Sequence, residues 1–291
     1  MTKRISYNPI EENLDNMPSL LYKYRVFDED NFGIKMATTG EAFFSSARHL
    51  NDPFEHYFIP ESNFIGLPED ELKQYIHKKT KQRFSTATRL QRKELESIAW
   101  KRAMIHRKDP TIAAAELLEL QYERFGILSL VRDWNSLPMW AYYSENHEGI
   151  CIGLKTEVIA EKQKQLLTEE GILLALHDVI YTDEIPHVNI DTPLNGDSTD
   201  ENFDVTEAVH CTKSIHWKHE NEIRLIMWNH PDTPYSFGAD AVGEVIIGLN
   251  AKDENIEKLK KELSRVDSNA VIKRAIKSKE KYGLTFEDIE L

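Results

Sequence analysis

The sequence is poor in cysteine, since only Cys151 and Cys211 occur in 291 residues. Two cysteines are too few for a disulfide framework or a cysteine zinc site, so we expect both to be buried thiols in a reducing compartment. The chain also lacks the apolar run of a signal peptide, and no stretch reaches the length that crosses a bilayer. These absences predict a cytoplasmic protein, of bacterial type, that does not bind a membrane.

Several catalytic motifs are missing as well. The sequence has no glycine-rich loop followed by Gly-Lys-Ser, which excludes a P-loop phosphate site. It has no nucleophile-elbow serine, no internal repeat, and no linker rich in proline and glycine. The length and an ordinary composition, 41% hydrophobic and 29% charged, therefore predict a single soluble domain over residues 1–291.

Basic charge is scarce overall but is concentrated in one segment. The formal net charge of -13 disfavours sequence-independent binding of duplex DNA or anionic membrane, because both need cationic surfaces. Residues 73–108 nevertheless contain twelve lysines and arginines against two glutamates. Two interpretations stay open: the charged side of solvated helices, or a surface for an acidic partner such as nucleic acid.

Hydrophobic periodicity predicts an α+β protein in which strands do not alternate strictly with helices. We expect helices at residues 90–104, 111–124, 137–143, 158–167, 204–214 and 253–266, and one more that opens at Pro68. Extended segments are expected at residues 20–27, 34–46, 126–131, 149–154, 172–181, 220–228, 242–249, 271–276 and 284–289. Residues 68–124 then form a helical insertion, and residues 186–200 form a loop.

The most informative segment extends from His216 to Trp228. Its alternation places Glu220, Glu222 and Arg224 on one strand face and apolar side chains on the other. Charges beside a buried face need a partner, a ligand or a cleft. The segment therefore predicts a functional site, or else an ion pair between Glu222 and Arg224 on an exposed sheet face.

Short motifs in a fixed order resemble a bacterial family known as domain of unknown function 2971. They lie within residues 20–250 and are, in chain order, Leu21-Tyr22-Lys23-Tyr24-Arg25, Phe43-Phe44-Ser45-Ser46, Leu50-Asn51-Asp52-Pro53-Phe54-Glu55, Leu137-Pro138-Met139-Trp140-Ala141-Tyr142-Tyr143, Gly149-Ile150-Cys151-Ile152-Gly153-Leu154, Trp217-Lys218-His219-Glu220-Asn221-Glu222-Ile223-Arg224-Leu225-Ile226 and Val245-Ile246-Ile247-Gly248-Leu249. This resemblance implies the extent of a fold but no activity.

A second resemblance, to the ADP-ribosyltransferase superfamily, depends on the order of three features. Arg25 lies on the first strand, Ser45 lies at the end of the second, and Glu220 and Glu222 form a Glu-x-Glu pair on a late strand. The resemblance implies a mixed or antiparallel split sheet and NAD as the substrate. By analogy of fold it implies a bacterial toxin or antiphage effector whose acceptor is a nucleic acid or a protein.

The same resemblance implies roles for single residues. Cleavage of the nicotinamide–ribose bond places positive charge on the ribose, and the carboxylate of Glu222 would stabilise it, as in glycoside hydrolysis. Glu220 would act as general base toward the acceptor, and Arg25 would hold the pyrophosphate. Ser45 would orient the catalytic glutamate or the ribose. Tyr24 or Trp140 would stack on the nicotinamide ring.

Two rival functions remain open. One is a non-catalytic nucleic-acid or protein binding module that uses the basic helices of residues 73–108. The other is a metal-dependent nuclease, with ligands drawn from Asp52, Glu55, Glu220 and Glu222. We predict no separate metal site, because Asn51-Asp52-Pro53 is typical of a tight turn that Phe54 anchors in the core.

Overall fold

The computed structural model describes residues 14–62, 64–190, 199–266 and 269–289. Its α-helices are Phe32–Thr39 (α1), Glu69–Arg83 (α2), Arg89–Lys108 (α3), Pro110–Arg124 (α4), Leu137–Tyr143 (α5), Thr156–Gln165 (α6), Thr199–His210 (α7) and Asp253–Leu263 (α8). Its strands are Leu20–Arg25 (β1), Glu41–Ser46 (β2), Ile59–Glu61 (β3), Phe125–Val131 (β4), Ile150–Lys155 (β5), Leu174–Asp178 (β6), Ile180–Thr182 (β7), His187–Asn189 (β8), Thr212–Ser214 (β9), Glu222–Trp228 (β10), Thr233–Ser236 (β11), Val242–Ile247 (β12), Val271–Lys277 (β13) and Leu284–Asp288 (β14).

The chain divides into two compact units. Segments Asn51–Glu123 and Thr182–Thr212 form one of them, called here the helical unit. The described residues before Asn51, together with Arg124–Tyr181 and Lys213–Leu291, form the other, called here the sheet unit. One domain with an insertion at residues 68–124 stays a prediction.

Ten strands of the sheet unit form one sheet in the order β11-β2-β4-β1-β5-β12-β13-β14, with β10 beside β4 and β6 beside β10. Strands β12 and β13 are parallel, whereas β1 and β5 are antiparallel, so the sheet is mixed and the predicted α+β class is confirmed. Alternating residues of β10, Ile223, Leu225 and Met227, are buried in the main core, as their periodicity predicts.

The sheet opens between β1 and β2. Strand β10 pairs with β4 along its whole length, from Val131 to Phe125, and so occupies one edge of β4. Strands β1 and β2 must share the other edge, where β2 pairs with Gly126 and Ile127 and β1 pairs only at Val131. This divergence splits the sheet. Its likeness to the sheet of the ADP-ribosyltransferases stays a prediction.

The helical unit is built on α2 and α3, which pack as a pair. Helix α3 begins with a reciprocal cap, in which the Thr88 hydroxyl accepts from Gln91 N and the Gln91 side chain accepts from Thr88 N. Phe64, Leu72 and Ala103 are buried in the core beside the pair. The prediction of consecutive helices over residues 68–124 is therefore confirmed in α2, α3 and α4.

The second extended segment predicted from the sequence, residues 34–46, begins too early. Residues 34–39 were predicted to be extended but belong to α1, whose buried side chains include Ile34 and Met36. Gly40 ends this helix in the left-handed region at φ 65°, a conformation that suits glycine at a helix C-terminus. The extended prediction was wrong because the apolar residues of so short a helix show no clear period.

Three further predictions differ from the structure. Residues 212–214 form β9 rather than the end of a helix. Asp52 Oδ1 accepts from Phe54 N at 2.9 Å, which confirms the turn, but Phe54 is 67% exposed and anchors no core. In the predicted loop at residues 186–200, β8 and the start of α7 are formed, and residues 191–198 lie outside the described part.

Candidate active site

Glu222 and Arg224 form a buried, two-pronged ion pair on β10. Arg224 Nε donates to Glu222 Oε1 at 2.9 Å, and the second guanidinium nitrogen donates to Oε2 at 3.0 Å. The side chains are two residues apart on one strand face, and only 6% of Glu222 and 1% of Arg224 are exposed. The predicted ion pair is therefore present, but the predicted exposed face is wrong, because this face is enclosed.

Glu220 lies outside the strand that was predicted to carry it. It ends the short 3-10 helix Ile215–Glu220, and Asn221 then takes a left-handed φ of 46° before β10 begins. Lys213 Nζ nevertheless connects the two carboxylates, at 2.6 Å from Glu220 and 3.5 Å from Glu222. Tyr143 of α5 donates its hydroxyl to Glu220 Oε1 at 2.5 Å. The two glutamates thus meet through a shared lysine rather than through strand alternation.

The cluster keeps Glu222 ionised. Burial alone would raise the pKa of this carboxyl, but the charge and hydrogen bonds of Arg224 lower it, helped by Lys213 and by a hydrogen bond with Ser129. The resulting pKa is about 2, below the ordinary 4.5, so Glu222 carries its charge throughout the neutral range. An ionised, immobile carboxylate is suited to stabilising a positive charge that develops beside it.

Lys23 is a site residue that sequence reasoning missed. It lies on β1 at the opening of the sheet, and its Nζ donates to the Ser129 carbonyl of β4 at 2.8 Å. Burial, followed by the charge of Arg25, lowers the pKa of Lys23 to about 7, and the nearby Glu222 raises it only in part. In the sequence, Lys23 could have been found from its position two residues before Arg25, because this spacing places both side chains on one strand face.

His177 is a second missed residue. It lies on β6 directly opposite Arg224 of β10 and is buried. Burial lowers the pKa of His177 to about 4, so the ring is neutral at neutral pH. Its signal in the sequence was weak, because a single histidine in a short strand is no motif.

Arg25 and Ser45 line one cavity of about 250 Å³ in the sheet unit. Phe32, Phe43 and Pro234 supply its apolar wall. Arg25 Nε is buried and, within the described part of the chain, has no hydrogen-bond partner. Burial lowers the pKa of Arg25, and the nearby Asp28 opposes this shift. A guanidinium that has an unused donor, on a residue that lines a cavity, is a suitable binding group for an anion.

Tyr24 and Trp140 are placed together, but in the core. Trp140 has no exposed surface, and its ring meets Tyr24 edge-on at 5.1 Å between centroids. The Trp140 ring nitrogen and the Tyr24 hydroxyl both donate to the Trp134 carbonyl, at 2.7 and 2.5 Å. His147 stacks on the Trp140 ring at 6.0 Å. These two residues therefore present no open ring face in this structure, and their role at nicotinamide stays a prediction without geometric support.

The described residues contain neither a metal-ligand cluster nor a membrane-spanning helix. No group of three or more histidine, cysteine, aspartate or glutamate side chains there could hold a metal ion. None of the helices in those ranges combines the length and the apolar character needed to cross a bilayer. Cys151 and Cys211 are both buried, as was predicted for the two thiols.

Comparison with known proteins gives one match. The family model described as "Protein of unknown function (DUF2971)" matches residues 139–225 and so supports the resemblance to that family over this part of the chain. The matched segment includes Tyr143, His177, Lys213, Glu220, Glu222 and Arg224. No curated protein and no solved structure matches the chain.

Proposed function

We propose that this protein cleaves NAD at the nicotinamide–ribose bond and transfers ADP-ribose to an acceptor, in the manner of an ADP-ribosyltransferase. One observation carries the proposal: Arg25 and Ser45, two of the four residues assigned to NAD binding, line the same cavity although they lie on different strands. Arg25 Nε is also a buried donor that has no hydrogen-bond partner within the described part of the chain. A cavity of about 250 Å³ suits the pyrophosphate and one ribose rather than the whole dinucleotide.

The chemistry requires positive charge to be stabilised on the ribose. As the bond between C1′ and the nicotinamide nitrogen breaks, the electron pair leaves with nicotinamide and C1′ becomes cationic. The acceptor then forms a bond to C1′ and gives up its proton, either to Glu220 acting as general base or to water. Glu222 would stabilise the cation by its fixed charge, since Arg224 and Lys213 hold the carboxylate in place.

Glu220 has a more limited part in this proposal. Its carboxylate is held by Lys213 and by Tyr143, so a general-base role requires one of these contacts to open. Without that opening, Glu220 acts by positioning Lys213 against Glu222. A nucleic acid or a protein as the acceptor of ADP-ribose would suit the toxin or antiphage role that the resemblance implies.

The direct test uses the full chain and NAD labelled in the nicotinamide ring. We expect release of nicotinamide, and we expect Glu222→Gln to lower its rate by about a hundredfold or more. The matched control is Glu244→Gln, because Glu244 is also a buried strand glutamate, bonded to Tyr22 and paired with Lys273. No release by the unchanged protein, or an equal rate in Glu222→Gln, would remove the proposal.

A second prediction concerns Arg25. Arg25→Lys keeps the positive charge but loses the guanidinium fork that matches paired phosphate oxygens. We expect the KM for NAD to rise about tenfold with little change in kcat, because a binding contact is lost. Arg132→Lys, at an arginine that pairs with Asp178 in the same unit, serves as the control. A fall in kcat at constant KM would contradict a pyrophosphate-binding role.

A further inference from the structure

The pair of helices α2 and α3 carries a second cavity, of about 230 Å³, in the helical unit. Buried apolar side chains, among them Phe64, Ile76 and Ala103, form its floor. Phe84 and Ile98, which also line it, are 37% and 63% exposed. The cavity is therefore apolar within and open to solvent at its rim.

Cations accompany the aromatic rings at this cavity. Lys79 Nζ lies 6.0 Å from the centroid of the Tyr75 ring, and the Arg83 guanidinium lies 5.7 Å from that of Phe84. All four residues line the cavity. Each pair joins a flat apolar surface to a positive charge, which is the combination that binds a base together with its phosphate.

A second depression on the same two helices repeats this arrangement. It is lined by Lys73, Ile76 and Trp100, among others, and Lys73 Nζ lies 4.8 Å from the centroid of the Trp100 ring. Ile76 borders both depressions. Stacking surfaces paired with cations thus occur at successive places along one helical pair.

The charge of this segment identifies the kind of partner. Residues 73–108 contain twelve lysines and arginines and two glutamates, in a chain whose formal net charge is -13. An acidic partner is therefore attracted to this surface and repelled by most of the remaining chain. A run of acidic residues in a peptide would satisfy the cations but has no flat group for the cavity, whereas a single-stranded nucleic acid supplies both groups at every nucleotide.

We propose that α2 and α3 form a binding surface for single-stranded nucleic acid, with an unstacked base in the cavity beside Phe84 and its phosphates on Lys79 and Arg83. The inference is independent of NAD cleavage, because each of its residues lies in the helical unit. We expect binding that does not depend on the base sequence, because each contact named is to a ring face or to a phosphate.

The test measures fluorescence anisotropy of labelled single-stranded oligonucleotides of about 20 nucleotides with the full-length protein, over a series of salt concentrations. We expect binding that weakens as the salt concentration rises. Duplex DNA should be a poor competitor of the labelled oligonucleotide. Phe84→Ala should lower the affinity about tenfold and leave the salt dependence unchanged, because it removes stacking alone. The matched control is Phe54→Ala, at another exposed phenylalanine of the helical unit.

Charge reversal distinguishes a specific binding site from general electrostatic attraction to the helices. Lys79→Glu with Arg83→Glu should lower the affinity more than tenfold and reduce the salt slope by about 0.7 for each lost phosphate contact. Reversal at Lys101 and Lys108, exposed residues of α3 that line neither cavity, should have a smaller effect. Glu222→Gln should bind the oligonucleotide as the unchanged protein does, which keeps this outcome separate from the NAD test.

Three results would overturn the proposal. The first is absence of binding at about 50 mM salt. The second is an equal loss of affinity from the control charge reversals, which would reduce the surface to general electrostatics. The third is equal competition by polyglutamate with no effect of Phe84→Ala, which would assign the surface to an acidic protein instead. Thermal unfolding of every variant confirms that it is folded.

Discussion

Replacement of Glu222 by alanine is expected to lower the free energy of unfolding by about 3–5 kcal/mol. The change leaves the Arg224 guanidinium, which is 1% exposed, without the carboxylate that accepts two of its hydrogen bonds. It also removes one of the two carboxylates that Lys213 approaches. Urea unfolding followed by circular dichroism at neutral pH measures the effect.

A double variant tests the cause of this loss. Arg224→Met removes the charge that Glu222→Ala leaves buried and fills much of the same volume. The pair of changes should therefore recover part of the stability that the single change costs, because neither charge then remains enclosed. A loss below about 1 kcal/mol for Glu222→Ala alone would instead match an ion pair that water reaches.

Because Glu222→Ala is expected to destabilise the fold, the NAD test uses Glu222→Gln instead. Glu222→Gln keeps the shape of the side chain and can still accept from Arg224, so it disturbs the fold less than alanine does. The control Glu244→Gln removes a buried carboxylate that is held in a similar way, by Tyr22 and Lys273. Equal stability losses with unequal rates would then separate a catalytic contribution of Glu222 from a structural one.

The fold could be predicted where the sequence has a clear period. Strand β10 alternates apolar and polar residues, and the structure buries Ile223, Leu225 and Met227 as expected. Helices α2 and α3 are long enough for their pattern to be seen. The short helix α1 could not be predicted, because its burial depends in part on contacts with β5, β12 and α8, which are distant in the chain.

The candidate site was predictable only in part. Alternation placed Glu222 and Arg224 on one face, but the partners that enclose them come from distant segments, as Lys213 does from β9 and Ser129 from β4. Glu220 was assigned to the same face by counting, and the left-handed Asn221 breaks that count. The pairing of Arg25 with Ser45 at one cavity depends on the divergence of β1 and β2, which no local pattern encodes.

Lys23 provides the prediction with the clearest dependence on pH. Its pKa is about 7 in the folded protein and is taken as the ordinary 10.5 in the unfolded chain. Above pH 7 the folded protein has released this proton while the unfolded chain still holds it, so unfolding takes up a proton. The contribution of Lys23 to stability therefore rises with pH by up to about 1.4 kcal/mol per pH unit, and it is least favourable below pH 7.

Lys23→Met removes this dependence, because methionine does not titrate and keeps a long side chain in the opening of the sheet. We expect the variant to be more stable than the unchanged protein below about pH 7, and this advantage to shrink as the pH rises toward about 10. Urea unfolding at several pH values gives the difference between the two proteins. Lys258→Met, at an exposed lysine of α8, corrects for the change in net charge.

The pH range in which Lys23 titrates is separate from the ranges of His177 and Glu222. The pKa of His177 is about 4 and that of Glu222 about 2, so both groups change their protonation below the range in which Lys23 does. The difference between wild type and Lys23→Met above pH 7 therefore reports Lys23 itself. A difference that stays constant from about pH 6 to about pH 9 would mean that the ammonium keeps its proton, stabilised by Glu222 and the Ser129 carbonyl.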